Sequence, residues 1–355
     1  MILLITALRP SPHHHPMKTS NILAIAALAA IGTRLVLDRK RAYNYGNKLV
    51  VISGGARGLG LILARQLIRK GARVAICARG GAELSRAIDH LGQLVEKTGR
   101  GDVFGERCDI TDPTQVASFL ESVRAWGGPI NVLINNAGVM TVGPAETMLT
   151  SDYEEALDVH VRGPLALVEG ILPDMRACGE GRIINIGSVG GMVALPHMAP
   201  YCASKHALVG LSKALRLELA REDILVTTVN PGLMRTGSHV NARFKGHHQF
   251  EQTVFSLANS NPLLSVNAAR AAHRILTDAG RGRAHVRIGW LPFALGLLEH
   301  IAPETLQEVM TLAERLAPHP RPTVPVARSG RRSPTMLSPS ILTSLSDSQV
   351  TLNNE

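Results

Sequence analysis

The stretch from Lys48 to Ser53, KLVVIS, running into Gly54 to Gly60, GGARGLG, constrains this chain most. A short apolar run of this kind reads as a strand buried on both faces, as in a parallel sheet. The glycines at its end let the backbone approach a pyrophosphate. The helical run that follows, to Lys70, offers free N–H groups and the positive end of its dipole. The pattern then repeats. Arg73–Ala78, Val103–Cys108, Ile130–Asn135, Arg182–Ile186, Ile224–Val229 and Arg283–Ile288 all read as strands with helical stretches between them. Alternation of this kind predicts an α/β fold built on a doubly wound parallel sheet of about seven strands, with helices on both faces.

Every residue with a chemical use falls just past a strand end, where such sheets bind ligands. Gly54, Arg57, Gly58, Leu59 and Gly60 follow the first strand, and Arg79 closes the second. No Asp or Glu stands at that second strand end to hold a ribose diol. Two guanidiniums, Arg57 and Arg79, stand there instead and favour a ribose phosphate, hence NADP over NAD. Asp109 follows the third strand and is placed to accept from an adenine amino group. Asn135-Asn136-Ala137-Gly138 follows the fourth, where small and amide residues let the chain pass beneath a cofactor, and Asn230-Pro231-Gly232 follows the sixth. Asp112 before Pro113 reads as a helix cap.

The fifth strand delivers Ser188, and Tyr201 and Lys205 stand four residues apart in an Ala/Leu/Lys-rich run, Tyr201–Leu219, that reads as a helix. A phenol with a pKa of about 10 is a poor acid or base at neutral pH. An ammonium one turn away is expected to lower it, with Ser188 hydrogen-bonding the substrate oxygen.

The net charge of +10 resembles a nucleic-acid signal only until it is located. Residues 1–48 hold seven Lys/Arg against one Asp, and the tail from Pro318 holds four Arg against two acids, which leaves the body with about +2. No nucleic-acid partner is expected. Cys77, Cys108, Cys178 and Cys202 show no metal spacing and read as free thiols. The three histidines at 13–15 lack further ligands, so no metal is expected. An apolar run over about 21–37, followed by Arg39, Lys40 and Arg41, reads as a membrane anchor that leaves the body in the cytoplasm. Met17 reads equally well as the true start. Tyr43 and Tyr45 would suit the membrane interface.

These residues together resemble the short-chain dehydrogenase/reductase family over about residues 48–290: Ser53 to Gly60, Asp109, Asn135 to Gly138, Ser188, Tyr201 with Lys205, and Pro231 to Thr236. The resemblance implies a Rossmann-type fold and NADP held by Ser53, Gly54, Arg57, Gly58, Leu59, Gly60, Arg79, Asp109, Asn136, Ala137, Gly138, Tyr201, Lys205, Pro231, Gly232 and Thr236. Tyr201 would be the catalytic acid/base and Ser188 would orient the substrate. Lys205 would bind the nicotinamide ribose, and Thr236 would contact the nicotinamide end. One position departs from the family pattern: His160 falls where an asparagine commonly completes a proton relay, so His160 is expected in that relay. Homo-oligomers are common in the family.

Leu233 to about Pro262, with Arg235, His239, Arg243, Phe244, Lys245, His247 and His248, falls where the family places a mobile substrate lid. A last helix is expected to set Leu306, Val309, Met310, Ala313 and Leu316 on one face, packed on the body, on a partner or on lipid. The layout is therefore a leader over 1–47, a catalytic domain over 48–290, a helical extension over 291–317 and a disordered tail over 318–355. The expected activity is NADP(H)-dependent interconversion of a carbonyl and an alcohol, on a hydrophobic small molecule. A 3-oxoacyl thioester reductase and a non-catalytic, membrane-tethered NADP-binding regulator remain open as alternatives.

Overall fold

A computed structural model describes residues 29, 32–34, 36, 38–316, 327–330 and 344–354. Residues 1–42 and 43–355 form two separate units. In the first, the described part of 29–40 is helical. Most of the expected anchor, 21–37, lies outside the described residues, as do His13 to His15 and Met17. Among the described residues no helix is long and apolar enough to cross a membrane.

The second unit is organised by a seven-stranded sheet. Its strands are β1 (Leu49–Ser53), β2 (Arg73–Ala78), β3 (Asp102–Arg107), β4 (Val132–Asn135), β5 (Gly181–Ile186), β6 (Ile224–Pro231) and β7 (His285–Ile288). All neighbours are parallel, in the order β7-β6-β5-β4-β1-β2-β3. The chain order reverses between β1 and β4, which opens the crevice where ligands bind in such sheets. Strand β1 is buried throughout, and its side chains alternate between two cores: Val50 and Ile52 enter one, Leu49 and Val51 the other. The doubly wound α/β architecture is therefore as expected.

The helices are α1 (Gly58–Arg69), α2 (Gly81–Thr98), α3 (Pro113–Gly127), α4 (Thr150–Leu157), α5 (Gly163–Cys178), α6 (Ala199–Glu218), α7 (His248–Ser260), α8 (Ala268–Gly280), α9 (Trp290–Ile301), α10 (Pro303–Leu316) and α11 (Ser344–Leu352). A π turn over Asp158–Arg162 joins α4 to α5. Asp112 caps α3 as expected, accepting from Thr114 N–H at 2.9 Å and Gln115 N–H at 3.3 Å.

Two expectations need correcting. Tyr43 and Tyr45 do not face outward: the Tyr45 ring is buried and its hydroxyl donates to Leu276 O at 2.9 Å, while the Arg182 guanidinium lies 4.5 Å from the Tyr43 ring centre. Tyr45, an apolar ring with a polar tip, finds both of its needs inside the body. The tail is not wholly disordered. Arg328–Ser329 pairs antiparallel with Arg243–Phe244, and Ser344–Leu352 is helical, because backbone donors and acceptors of the body are there to receive them. On the apolar face of α10, Leu306 and Met310 pack on the body, against Val189 and Val193, whereas Val309, Ala313 and Leu316 are exposed.

Candidate active site

One cavity of about 570 Å³ runs over the C-terminal ends of the sheet, from the glycine loop to the residues after β5 and β6. That volume suits a cofactor with a small substrate. Its walls contain Gly54, Arg57, Gly58, Leu59, Arg79 and Asp109 at one end. Asn136, Ala137, Gly138, His160, Ser188, Tyr201 and Lys205 form the middle, with Pro231, Gly232 and Thr236 beside them.

Two predicted residues do not reach it. The Ser53 hydroxyl points sideways and accepts from Asn136 N–H at 3.1 Å and Ala137 N–H at 3.2 Å. The Asn136 amide answers by donating to Ser53 O and Gly54 O at 3.1 and 3.0 Å, so the ends of β1 and β4 are stitched together. Gly60 allows that closeness: a β-carbon there would stand 2.3 Å from Gly54 O and 2.6 Å from Asn136 Nδ2. Ser53 and Gly60 therefore shape the loop.

Helix α1 begins at Gly58 with no side-chain cap and no acidic residue in its first turn, an electropositive end whose first amide donates to Asn353 O at 2.9 Å. Arg57 and Arg79 line the cavity, but Glu83 comes within 3.8 Å of Arg57 Nη1. Glu83 is an acidic residue with no marking signal in sequence, four residues beyond Arg79 at the start of α2. Asp109 spends one carboxylate oxygen on Thr111, accepting from its N–H at 3.1 Å and its hydroxyl at 2.9 Å.

At the other end β5 and α6 bring the reactive groups together. Ser188 follows β5 in extended conformation, and its oxygen accepts from Gly190 N–H at 3.1 Å. Tyr201 and Lys205 lie one turn apart on α6, and Lys205 Nζ is 5.8 Å from the Tyr201 ring centre. The short turn after Ser188 presses on this helix through Gly191, whose added β-carbon would meet Lys205 O at 2.7 Å. Burial pushes the Tyr201 phenol up to about 12, with a side-chain hydrogen bond to Ser188 pulling the other way. Burial lowers the Lys205 amine to about 7, and that amine donates to Ile186 O at 2.8 Å. This corrects the expected direction. In the protein by itself desolvation of the phenolate outweighs any help from the amine, which is itself easily neutralised.

His160, fully buried on the π turn, has both ring nitrogens engaged. Nε2 accepts from Val139 N–H at 3.2 Å, which assigns the proton to Nδ1, and Nδ1 donates to Ser204 Oγ at 2.8 Å. Ser204 donates in turn to Tyr201 O at 3.0 Å, and the two rings meet edge to face at 5.6 Å. Burial, then the Lys205 charge, holds its pKa well below the usual histidine value. This neutral ring braces the Val139 turn against α6 and has no nitrogen to spare for a relay.

The substrate end is walled by Met140, Leu195, Met198 and Phe255. An ion pair between Glu155 Oε2 and Arg243 Nη2 at 2.5 Å lines the same wall. Behind it Lys245 pairs with Asp152, both buried, and Phe244 is fully enclosed. The expected lid is thus anchored along its first half. Arg235 too is tied down, donating to Ser265 O at 2.8 Å. Glu155 and Asp152 had no local signal, since their partners lie 88 and 93 residues away.

The geometry finds its likeness among known proteins. Residues 48–245 match the family model described as short chain dehydrogenase. D-beta-hydroxybutyrate dehydrogenase of Rhizobium meliloti is 33% identical over 53% of this chain and 72% of its own. Dehydrogenase/reductase SDR family member 7B of Rattus norvegicus is 27% identical over 79% of this chain and 86% of its own. Among solved structures, a variant of actinorhodin polyketide ketoreductase with NADPH is 28% identical. It superposes with a TM-score of 0.59 over 68% of this chain and 95% of that one.

Proposed function

The chain belongs to the short-chain dehydrogenase/reductase family, and from that premise we propose that it reduces an apolar ketone to its secondary alcohol, with NADP(H) as cofactor. The family makes it an oxidoreductase acting between CH–OH and carbonyl groups. The observation that carries the finer reading is the placement of Ser188, Tyr201 and Lys205 together at one end of a cavity whose other end is the N-terminus of helix α1.

The residues present fit a dinucleotide. Helix α1 would offer its amides to the phosphates, Asn136 to Gly138 would hold the middle, and Thr236 and Lys205 would hold the reactive end. Arg57 and Arg79, with no acid at the end of β2, support a 2′-phosphate on the ribose; Glu83 is the group that such a phosphate would displace from Arg57. When bound, the cofactor supplies the hydride.

The protein's own residues do the rest. Ser188 and Tyr201 hydroxyls orient the substrate oxygen. Tyr201 gives up its proton as that oxygen gains charge. With its pKa near about 12 the phenol is protonated through neutral pH, the form a reductase needs. A charged Lys205 steadies the phenolate that forms, and Met140, Leu195, Met198 and Phe255 exclude water from the reacting carbonyl.

A 3-oxoacyl thioester is a second substrate class, favoured by the likeness to a polyketide ketoreductase. The chemistry at Tyr201 is the same for both. Steroid, retinoid and aliphatic ketones assayed beside 3-oxoacyl thioesters, with NADPH and NADH in turn, test the reading through loss of reduced-nicotinamide absorbance. Faster turnover with NADH would remove the NADP assignment. No turnover of any carbonyl would turn attention to a binding role. The same proposal keeps the N-terminal apolar run, followed by Arg39 to Arg41, as a membrane anchor with the catalytic body on the cytoplasmic side. Recovery of the full chain wholly outside the membrane fraction would remove that part.

A further inference from the structure

His197 lies between Ser188 and Tyr201 with φ of +59°, a left-handed backbone that is costly for a residue with a β-carbon. Its surroundings hold it there. Its carbonyl accepts from Gly143 N–H at 2.8 Å. Its Nδ1 meets Glu251 Oε1 of α7 at 2.5 Å, and its Nε2 meets Glu314 Oε1 of α10 at 3.0 Å. A carboxylate on each nitrogen makes both nitrogens donors, so the ring is an imidazolium. Leu195 and Met198 on either side of it line the cavity, as does Phe255 one turn beyond Glu251. Building on the ketone-reductase reading, we propose that His197 is a positioning residue whose charged ring clamps α7 and α10 onto the Ser188–Tyr201 loop and so sets the substrate wall.

The groups that face the ring are Glu251 from α7 and Glu314 from α10. The Glu251 hydrogen bond foremost, against burial, raises its pKa to about 9. The clamp is therefore closed at neutral pH and opens as pH rises through about 9. The test compares wild type with His197→Gln, and with Glu314→Gln as the milder variant should the first not fold. The readouts are KM for the best ketone of the panel above, kcat, and NADPH binding by fluorescence, over a range of pH. At neutral pH the expected result is KM raised about tenfold in His197→Gln, the worth of a charge-assisted hydrogen bond, with NADPH binding unchanged. Wild-type KM should climb toward the variant's above about pH 9. Parallel pH profiles, or a lower kcat at unchanged KM, would overturn the clamp. Absence of turnover in wild type would instead fault the reductase reading.

A second inference rests on the other end of the chain. Leu352 O accepts from Arg65 Nη2 at 2.7 Å, and Asn353 O accepts from Gly58 N–H at 2.9 Å. Asn353 Nδ2 donates to Thr236 O at 3.0 Å. Asn354 Nδ2 donates to Ala56 O and Glu83 O, both at 2.8 Å, and its Oδ1 accepts from Arg86 Nε at 2.8 Å. Asn353 is 3% exposed. Ala56, Gly58, Glu83 and Thr236 all belong to the cavity wall, so this segment bridges the two sides of the cofactor cleft. It also takes the first amide of α1, where a phosphate would be received. Given a dinucleotide cleft, we propose that residues 349–354 form a strap that gates cofactor admission.

Stopped-flow mixing of NADPH with the full chain and with its Asn353→Ala/Asn354→Gly double variant tests the strap. Glycine suits Asn354, whose φ is +55°. Association should be about fivefold faster in the variant, because losing hydrogen bonds worth about 1 kcal/mol net raises the open fraction by that factor. An equal or slower rate would overturn the strap. Failure of both proteins to bind NADPH or NADH would sink the dinucleotide reading itself.

Discussion

The two ends of the cavity are built in different ways. At the glycine-loop end, short contacts to backbone close the site: Gly60 against the Gly54 carbonyl, the Ser53 hydroxyl against the Asn136 and Ala137 N–H groups, and helix α1 starting without a side-chain cap. At the substrate end, side chains from distant parts of the chain meet as ions, Glu155 with Arg243, Asp152 with Lys245, His197 with Glu251 and Glu314. A backbone cradle accepts one ligand shape and tolerates almost no added atom. A wall of ion pairs can be re-lined by exchanging its side chains while the scaffold is kept. The comparison teaches that cofactor and substrate recognition in this protein fail by different routes, one by steric exclusion and the other by loss of charge pairing.

The largest expected effect lies where the two ends meet. Tyr201→Phe should lower kcat by about 10²–10⁴-fold, the usual reach of general acid catalysis, with NADPH binding and thermal midpoint little changed. A variant that kept full turnover would show that neither end serves this chemistry. The substrate end breaks next. Lys245→Met leaves the Asp152 carboxylate buried beside an apolar chain, and denaturant unfolding should report a loss of about 3–5 kcal/mol. Adding Asp152→Leu should recover much of it, since the penalty belongs to the unpaired charge.

The cofactor end should respond more mildly in stability but sharply in function. Gly60→Ala forces a β-carbon toward Gly54 O, a strain of about 1–3 kcal/mol. NADPH binding should be lost before the fold is. If binding survived, the tight stitch between β1 and β4 would not be what shapes the loop. The smallest effect is local: Asp112→Ala removes the α3 cap at a cost of about 1 kcal/mol, without altering either binding function. A change in cofactor affinity from this variant would mean that α3 reports to the site, which its position behind Asp109 does not suggest.

Much of the site was legible early because its geometry is local. The glycine loop declares itself between an apolar strand and a helix, and a four-residue spacing on a helix puts Tyr201 and Lys205 on one face whatever surrounds them. Ser188 was legible for a related reason, since a parallel strand places its next residues on the ligand side. His160 lies on the cavity wall, yet its use depends on what each ring nitrogen meets, and Val139 and Ser204 come from other segments. The carboxylates that complete the substrate end gave no signal, because an acid on a helix looks the same in sequence whether it faces water or a lysine 93 residues away.

The amino-acid sequence by itself determined the alternating α/β scaffold, the glycine loop and the Ser188, Tyr201 and Lys205 set, for these follow from periodicity and short spacings. Only the tertiary structure decided that burial drives the phenol toward about 12 and the amine toward about 7. It also decided that Ser53 turns inward, that Tyr43 and Tyr45 pack on the body, and that Asn353 bridges the cleft. The physical reason is common to all of them: desolvation and ion pairing depend on which distant segments close around a group, and no short spacing carries that information.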